Sequence, residues 1–90
     1  MVGTAGFERE QDCLVKVTLK DTGGLNIHIN SKLKLLFGKQ MLEAVKDAAN
    51  ELKVENADIE VSEFGSLDFA IRARVKTAIR RARGAKYEEA

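Results

Sequence analysis

Few side chains here have the type and spacing to do chemistry. The densest set lies between Glu63 and Arg83, where Asp68, Arg72, Arg74, Lys76, Arg80 and Arg83 follow one glycine, Gly65. Arg72, Lys76, Arg80 and Arg83 recur at helical spacing and form a basic stripe. From Phe69 to Tyr87 there are seven basic residues and no acidic one. Such a stripe is either a solvated face or a docking surface for an acidic partner or a phosphorylated ligand. Asp68 and Arg72, four apart, could pair across one helix turn, or both could face a partner. Arg72 and Arg74 are two apart, about 200° around a helix, so they cannot close one bidentate clamp.

A catalytic constellation is hard to assemble. His28 is the sole histidine and falls on the outward side of an alternating segment between Asn26 and Asn30. Cys13 is the sole cysteine, on the inward side of another, where a thiol behaves as a small apolar group. One cysteine excludes an internal disulfide and a cysteine-based zinc site. Thr22-Gly23-Gly24 is a turn rather than a phosphate loop, and the carboxylates are scattered. The residues point to a non-enzyme.

The elements that position these groups can be read from period. Residues 12–20 alternate, with Cys13, Val15, Val17 and Leu19 inward, which predicts a strand. Residues 25–30 alternate with Leu25, Ile27 and Ile29 inward. The glycine turn between them predicts a hairpin. Residues 31–38 are ambiguous between a helical turn and a bent segment ending at Gly38. Met41, Val45, Ala48 and Leu52, widened by Leu42 and Ala49, predict a helix over 39–52. Ala57, Ile59 and Val61 alternate against polar residues and predict a third strand. Gly65 breaks the chain, Ser66 suits a helix N-cap and Asp68 suits the first turn. Leu67, Ile71, Val75, Ala78, Ile79 and Ala82 give the apolar stripe of a closing helix to Arg83. The expected fold is α+β, a two-layer ββαβα arrangement with two helices on one face of a small sheet. One domain spans 1–90: a mobile arm at 1–11, a folded core at 12–84 and a tail at 85–90.

The run Phe64-Gly65-Ser66-Leu67-Asp68-Phe69-Ala70-Ile71-Arg72-Ala73-Arg74, followed by Arg81-Ala82, resembles the signature of the citrate lyase acyl carrier protein, the gamma subunit of that complex. The family includes the malonate decarboxylase acyl carrier protein. Ile29-Asn30-Ser31 with Phe37-Gly38 is similar to the family segment that leads into its first long helix. The resemblance implies a non-catalytic carrier. Its prosthetic group is phosphoribosyl-dephospho-CoA on a serine, whose thiol holds acetyl or citryl. It also implies lyase alpha and beta subunits and a prosthetic-group transferase as partners, and Gly65, Asp68, Arg72 and Arg74 as partner surface.

The family's serine sits four residues after an Ala-Gly pair, shortly before an aspartate. Ala5-Gly6 and Asp12 match that frame, and the serine position falls on Glu10. A carboxylate cannot carry the ester that a hydroxyl forms, so the arm is expected to be absent from this chain. Three readings stay open. Glu10 replaces a serine and mimics its phosphodiester charge; the chain is a paralogue that serves in assembly; or the frame is shifted and Thr4 is the acceptor.

Composition bounds the rest. With 44% apolar and 32% charged residues in 90 positions, one ordinary globular domain is expected. No run nears the ~20 apolar residues that a membrane helix needs, and a cytoplasmic location is expected. Residues 1–68 hold eight basic and twelve acidic side chains, an acidic body under a basic helix. The alternatives to a carrier are a nucleic-acid-binding or purely structural module using the basic helix over 72–86. The acidic body speaks against nucleic acid, as does Phe69 being the helix's only aromatic.

Overall fold

The computed structural model describes residues 1–8, 12–32, 34–65 and 68–84, without the side chains of 68 and 69. Six elements follow in order: β1 (Val2–Gly6), β2 (Cys13–Leu19), β3 (Leu25–Asn30), α1 (Lys34–Glu51), β4 (Ala57–Glu63) and α2 (Asp68–Ala82). The α+β two-layer expectation stands, with one strand more than ββαβα. Glu10, Leu33, Ser66, Leu67 and the expected tail at 85–90 lie outside the described residues.

The sheet order is β1-β2-β4-β3. β4 sits between β2, which it meets antiparallel, and β3, which it meets parallel. The expected hairpin of residues 12–20 with 25–30 is therefore not formed. The two-glycine turn instead steps across the start of β4. Asn56 pins it: its carbonyl accepts the Lys20 N–H at 3.1 Å and its side-chain oxygen accepts the Gly24 N–H at 2.8 Å. The true hairpin is β1 with β2, register Val2↔Thr18 through Gly6↔Leu14. The expected arm at 1–11 is thus a strand over most of its first half. Its residues are small and weakly patterned, but Gly3 and Ala5 point inward beneath α2, where only small residues fit.

That fit is close. A Cβ built on Gly3 would meet the Ala78 carbonyl oxygen and the Ala82 amide nitrogen, both backbone atoms of α2. With Ala78 and Ala82 fully buried, α2 lies almost directly on β1.

The expected inward faces hold. Cys13, Val15, Val17, Ile29, Ala57, Ile59 and Val61 line the covered face of the sheet, while Ile71, Val75, Ala78, Ile79 and Ala82 line α2. Ile27 and Leu25 are partly buried at the β3 edge. α1 buries Met41, Ala44, Val45, Ala48 and Ala49. It begins at Lys34 rather than 39, so residues 34–38 of the ambiguous stretch are helix and Gly38 lies inside it. α1 ends at a Schellman-type cap: the Val54 N–H reaches the Ala49 carbonyl at 2.9 Å, the Lys53 N–H reaches Asn50, and Lys53 takes φ 59°. Among the described residues no helix is long and apolar enough to cross a membrane.

The two helices run the same way, and ion pairs join them. Arg72 donates to Asp47 at 3.0 Å and Lys76 to Glu51 at 2.7 Å, a constant separation of 25 positions.

Candidate functional site

Topology gathers one end of the sheet. β1 ends there at Gly6, β2 begins there, and the parallel strands β3 and β4 both end there, so both helices start there. Gly6 and Cys13, the strand residues that flank the β1–β2 connection, lie at the same end.

Asp12 is the centre of this end. It is buried, with its side chain 10% exposed. A buried carboxylate needs its oxygens satisfied. Oδ1 accepts the Cys13 N–H at 2.7 Å and the Arg74 Nε–H at 3.3 Å; Oδ2 accepts from Arg74 Nη2 at 3.1 Å. The guanidinium thus grips both oxygens in a planar fork. Arg74 Cζ also lies 5.8 Å from the Phe7 ring centroid, within cation–π range. The Phe7 N–H donates to the Cys13 carbonyl at 3.2 Å, and the Phe64 N–H donates to the Asp12 carbonyl at 3.0 Å. One arginine from α2 therefore holds both sides of the β1–β2 connection, through Phe7 before it and Asp12 after it.

Gly6 makes the close approach possible. Its φ is +95°, and a Cβ there would strike the Cys13 carbonyl oxygen. Next to this, buried Glu63 accepts from Ser31 Oγ at 2.7 Å, tying the end of β4 to the entry of α1. Gly65 takes φ +89°, the turn conformation expected of it.

Removing the carboxylate should be felt. Asp12→Ala is expected to lower stability by about 2 kcal/mol, below the value for a fully buried pair because Arg74 is 35% exposed. Asp12→Asn keeps an acceptor for Cys13 and should lose about half as much. Urea unfolding of the three chains checks the order.

The sequence-derived site residues divide. Arg74 enters the site. Arg72 turns instead to Asp47 on α1, where an exposed pair contributes little; the two arginines do point apart. Asp68 opens α2, but its side chain is outside the described set. Glu10 is outside it altogether. Thr4 lies within β1, opposite Lys16. Asp12 and Phe7 were not identified as site residues from sequence. Asp12 was visible only as a frame marker, because its partner is 62 positions away.

The basic stripe of α2 is largely engaged within the molecule. Besides the pairs of Arg72, Arg74 and Lys76, Arg81 donates to the Thr4 carbonyl at 2.9 Å and Arg83 to the Leu52 carbonyl at 2.6 Å. These cations fasten α2 to α1 and to the outer strand.

Elsewhere the chemistry is sparse. Cys13 is fully buried, its Sγ 4.0 Å from the Ala70 carbonyl oxygen. The strand register sets His28 opposite Glu60 on the open sheet face. They line a wide, shallow depression with Lys20, Asn26 and Asp58. Lys20 Nζ lies 2.7 Å from Asp58 and, by that hydrogen bond, holds its carboxyl below the usual carboxylate range. Among the described residues no three His, Cys, Asp or Glu side chains are placed to hold a metal.

Comparison with known proteins bears directly on this end of the molecule. Residues 2–82 match the family model described as malonate decarboxylase delta subunit (MdcD). A citrate lyase acyl carrier protein of Fusobacterium nucleatum is 41% identical over 81 residues, covering 90% of this chain and 86% of that one. One from Pectobacterium atrosepticum is 44% identical over 78 residues, covering 87% and 80%. A third, from Albidiferax ferrireducens, is 39% identical over 80 residues, covering 89% and 82%. The matched region takes in both strands of the hairpin, Asp12 and all of α2. The chain belongs to the family of the citrate lyase and malonate decarboxylase acyl carrier proteins.

Proposed function

We propose that this chain is the carrier-type subunit of a citrate lyase-like complex, a rigid domain that presents its β1–β2 connection to alpha and beta subunits. The observation that carries the reading is the clamp of Phe7, Asp12 and Arg74. It fixes both sides of the connection on the sheet end, with position 10 between them. A carrier needs such a mount rather than an acid or base, because its work is to raise the local concentration of a tethered group.

The residues present do not fit the family's arm. Attachment needs a hydroxyl, and Glu10 offers only acceptor oxygens. Thr4 lies on the β1–β2 ladder and Thr18 near the end of β2, paired with Val2 and Asp58, so neither is presented as a loop hydroxyl would be. As written, the chain is a carrier scaffold without its attachment point, and phosphoribosyl-dephospho-CoA is not assigned to it.

Incubation with the triphosphoribosyl-dephospho-CoA donor and the family's transferase tests this. The chain should keep its mass, and Glu10→Ser should gain the mass of phosphoribosyl-dephospho-CoA. Modification of the unaltered chain would show that another hydroxyl, Thr4 first, is the acceptor. Failure of Glu10→Ser to load would assign the chain to assembly rather than to carrying.

The engaged cations of α2 speak against the nucleic-acid alternative, since a phosphate backbone would have to displace Asp12, Asp47 and Glu51.

A further inference from the structure

The first part of α1 runs on beyond the start of α2, and Arg72 of α2 borders a shallow depression with its Leu36, Lys39 and Gln40. The constant separation of 25 positions between paired residues of the two helices sets Asp68, the first residue of α2, level with Glu43. Residues 34–42 therefore run on past the start of α2 for about 13 Å. No residue of 34–40 is buried. Yet the overhang carries Leu35, 100% exposed, Leu36, 74% exposed, and Phe37, 45% exposed. Phe7 and Phe64 are also exposed at this end of the sheet. Among the described residues, the other large exposed apolar side chains, Met1 and Val2, are at the far end of β1. Apolar exposure is thus concentrated at the end of the sheet that holds the clamp.

The charge of the overhang has one sign. Lys32, Lys34 and Lys39 fall between positions 31 and 42, with no acidic residue. Lys34 stands in the first turn of α1, which has no acidic residue. A cation there opposes the helix dipole, so the arrangement does not serve the isolated helix.

We infer that this overhang is a docking surface for one kind of partner: an apolar groove with an acidic rim, on a protein subunit that receives the β1–β2 connection. The inference rests on the carrier reading. Leu35 and Leu36, adjacent on the helix and about 100° apart, enter the groove, and Lys32, Lys34 and Lys39 meet carboxylates at its rim. A second copy of this chain is a poor occupant. A twofold contact through this patch would bring the same lysines together.

Binding of purified citrate lyase-type alpha and beta subunits, from the source of this chain, is measured by calorimetry. Leu35→Ser with Leu36→Ser should weaken binding to one subunit at least about tenfold. Both side chains are solvent-exposed, so the melting temperature should hold. Lys34→Glu with Lys39→Glu should weaken binding and flatten its salt dependence. Binding that survives the double serine change overturns the docking surface and leaves the carrier reading standing. No binding by the unaltered chain to either subunit sinks both. Leucine-dependent self-association in sedimentation, or leucine-dependent binding to phosphatidylserine vesicles without subunit binding, assigns the patch to another occupant and overturns the inference.

Discussion

Gly3→Val should remove most of the stability of this domain, about 4 kcal/mol, although valine is a better strand former than glycine. The β propensity of the new residue would favour β1 in isolation. The obstacle is α2. A Cβ at position 3 meets the Ala78 carbonyl oxygen and the Ala82 amide nitrogen, and neither can move without the helix moving. Overpacking ordinarily costs about 1–3 kcal/mol because side chains yield; a backbone contact on both sides gives less room. Gly3→Ala should lie in between. Displacing α2 from β1 would also pull Arg81 off the Thr4 carbonyl and strain the Arg74 grip on Asp12. Urea unfolding followed by circular dichroism reads the loss. A Gly3→Val chain within about 1 kcal/mol of the original would mean that α2 does not sit on β1.

Ile71→Ala should cost about 3 kcal/mol. Ile71 is among the largest fully buried side chains and stands on α2 one position before Arg72. Deleting it forfeits the transfer energy of three carbons and leaves a cavity. The cavity cannot close easily, because β2, against which α2 packs, buries stiff β-branched Val15 and Val17. Ile71→Val should lose about 1 kcal/mol. The denaturant slope should stay constant across the series, since the folded surface barely changes. A loss under 0.5 kcal/mol for Ile71→Ala would contradict this packing.

Legibility in the sequence followed the range of the interaction. The buried faces of β2, β3, β4 and α2 were readable, because each is set by a period of 2 or 3.6 within a few residues. The order of elements from β2 onward was readable too. β1 was not: Gly3 and Ala5 look like loop residues until α2 is laid across them. The strand order was not either, because turn chemistry at 21–24 suits a hairpin, and only Asn56, over 30 positions away, diverts it. At the site, Arg74 was visible as a motif residue. Its role was not, since nothing local joins it to Asp12 and Phe7. The α2 cations read as either a solvated face or a docking stripe because their partners on α1 are invisible to a helical wheel. Glu10 stood out only against the resemblance, and the proposed docking leucines lie in a stretch that reads equally as a helical turn or a bent segment.

The insertion of β4 between β2 and β3 has a consequence for how the chain is made. Synthesis delivers β1 and β2 first, and they can close as a local hairpin at once. β3 follows with neither edge matched to anything yet available. It stays an unpaired strand while all of α1 is synthesised, until Glu63 has left the ribosome and β4 can fill the centre. The middle of the sheet is thus assembled last, around a strand flanked by a preformed hairpin on one side and a waiting edge on the other. The interval during which β3 lies open is set by the length of α1 and its connections, and that is when the nascent chain is most exposed to mispairing.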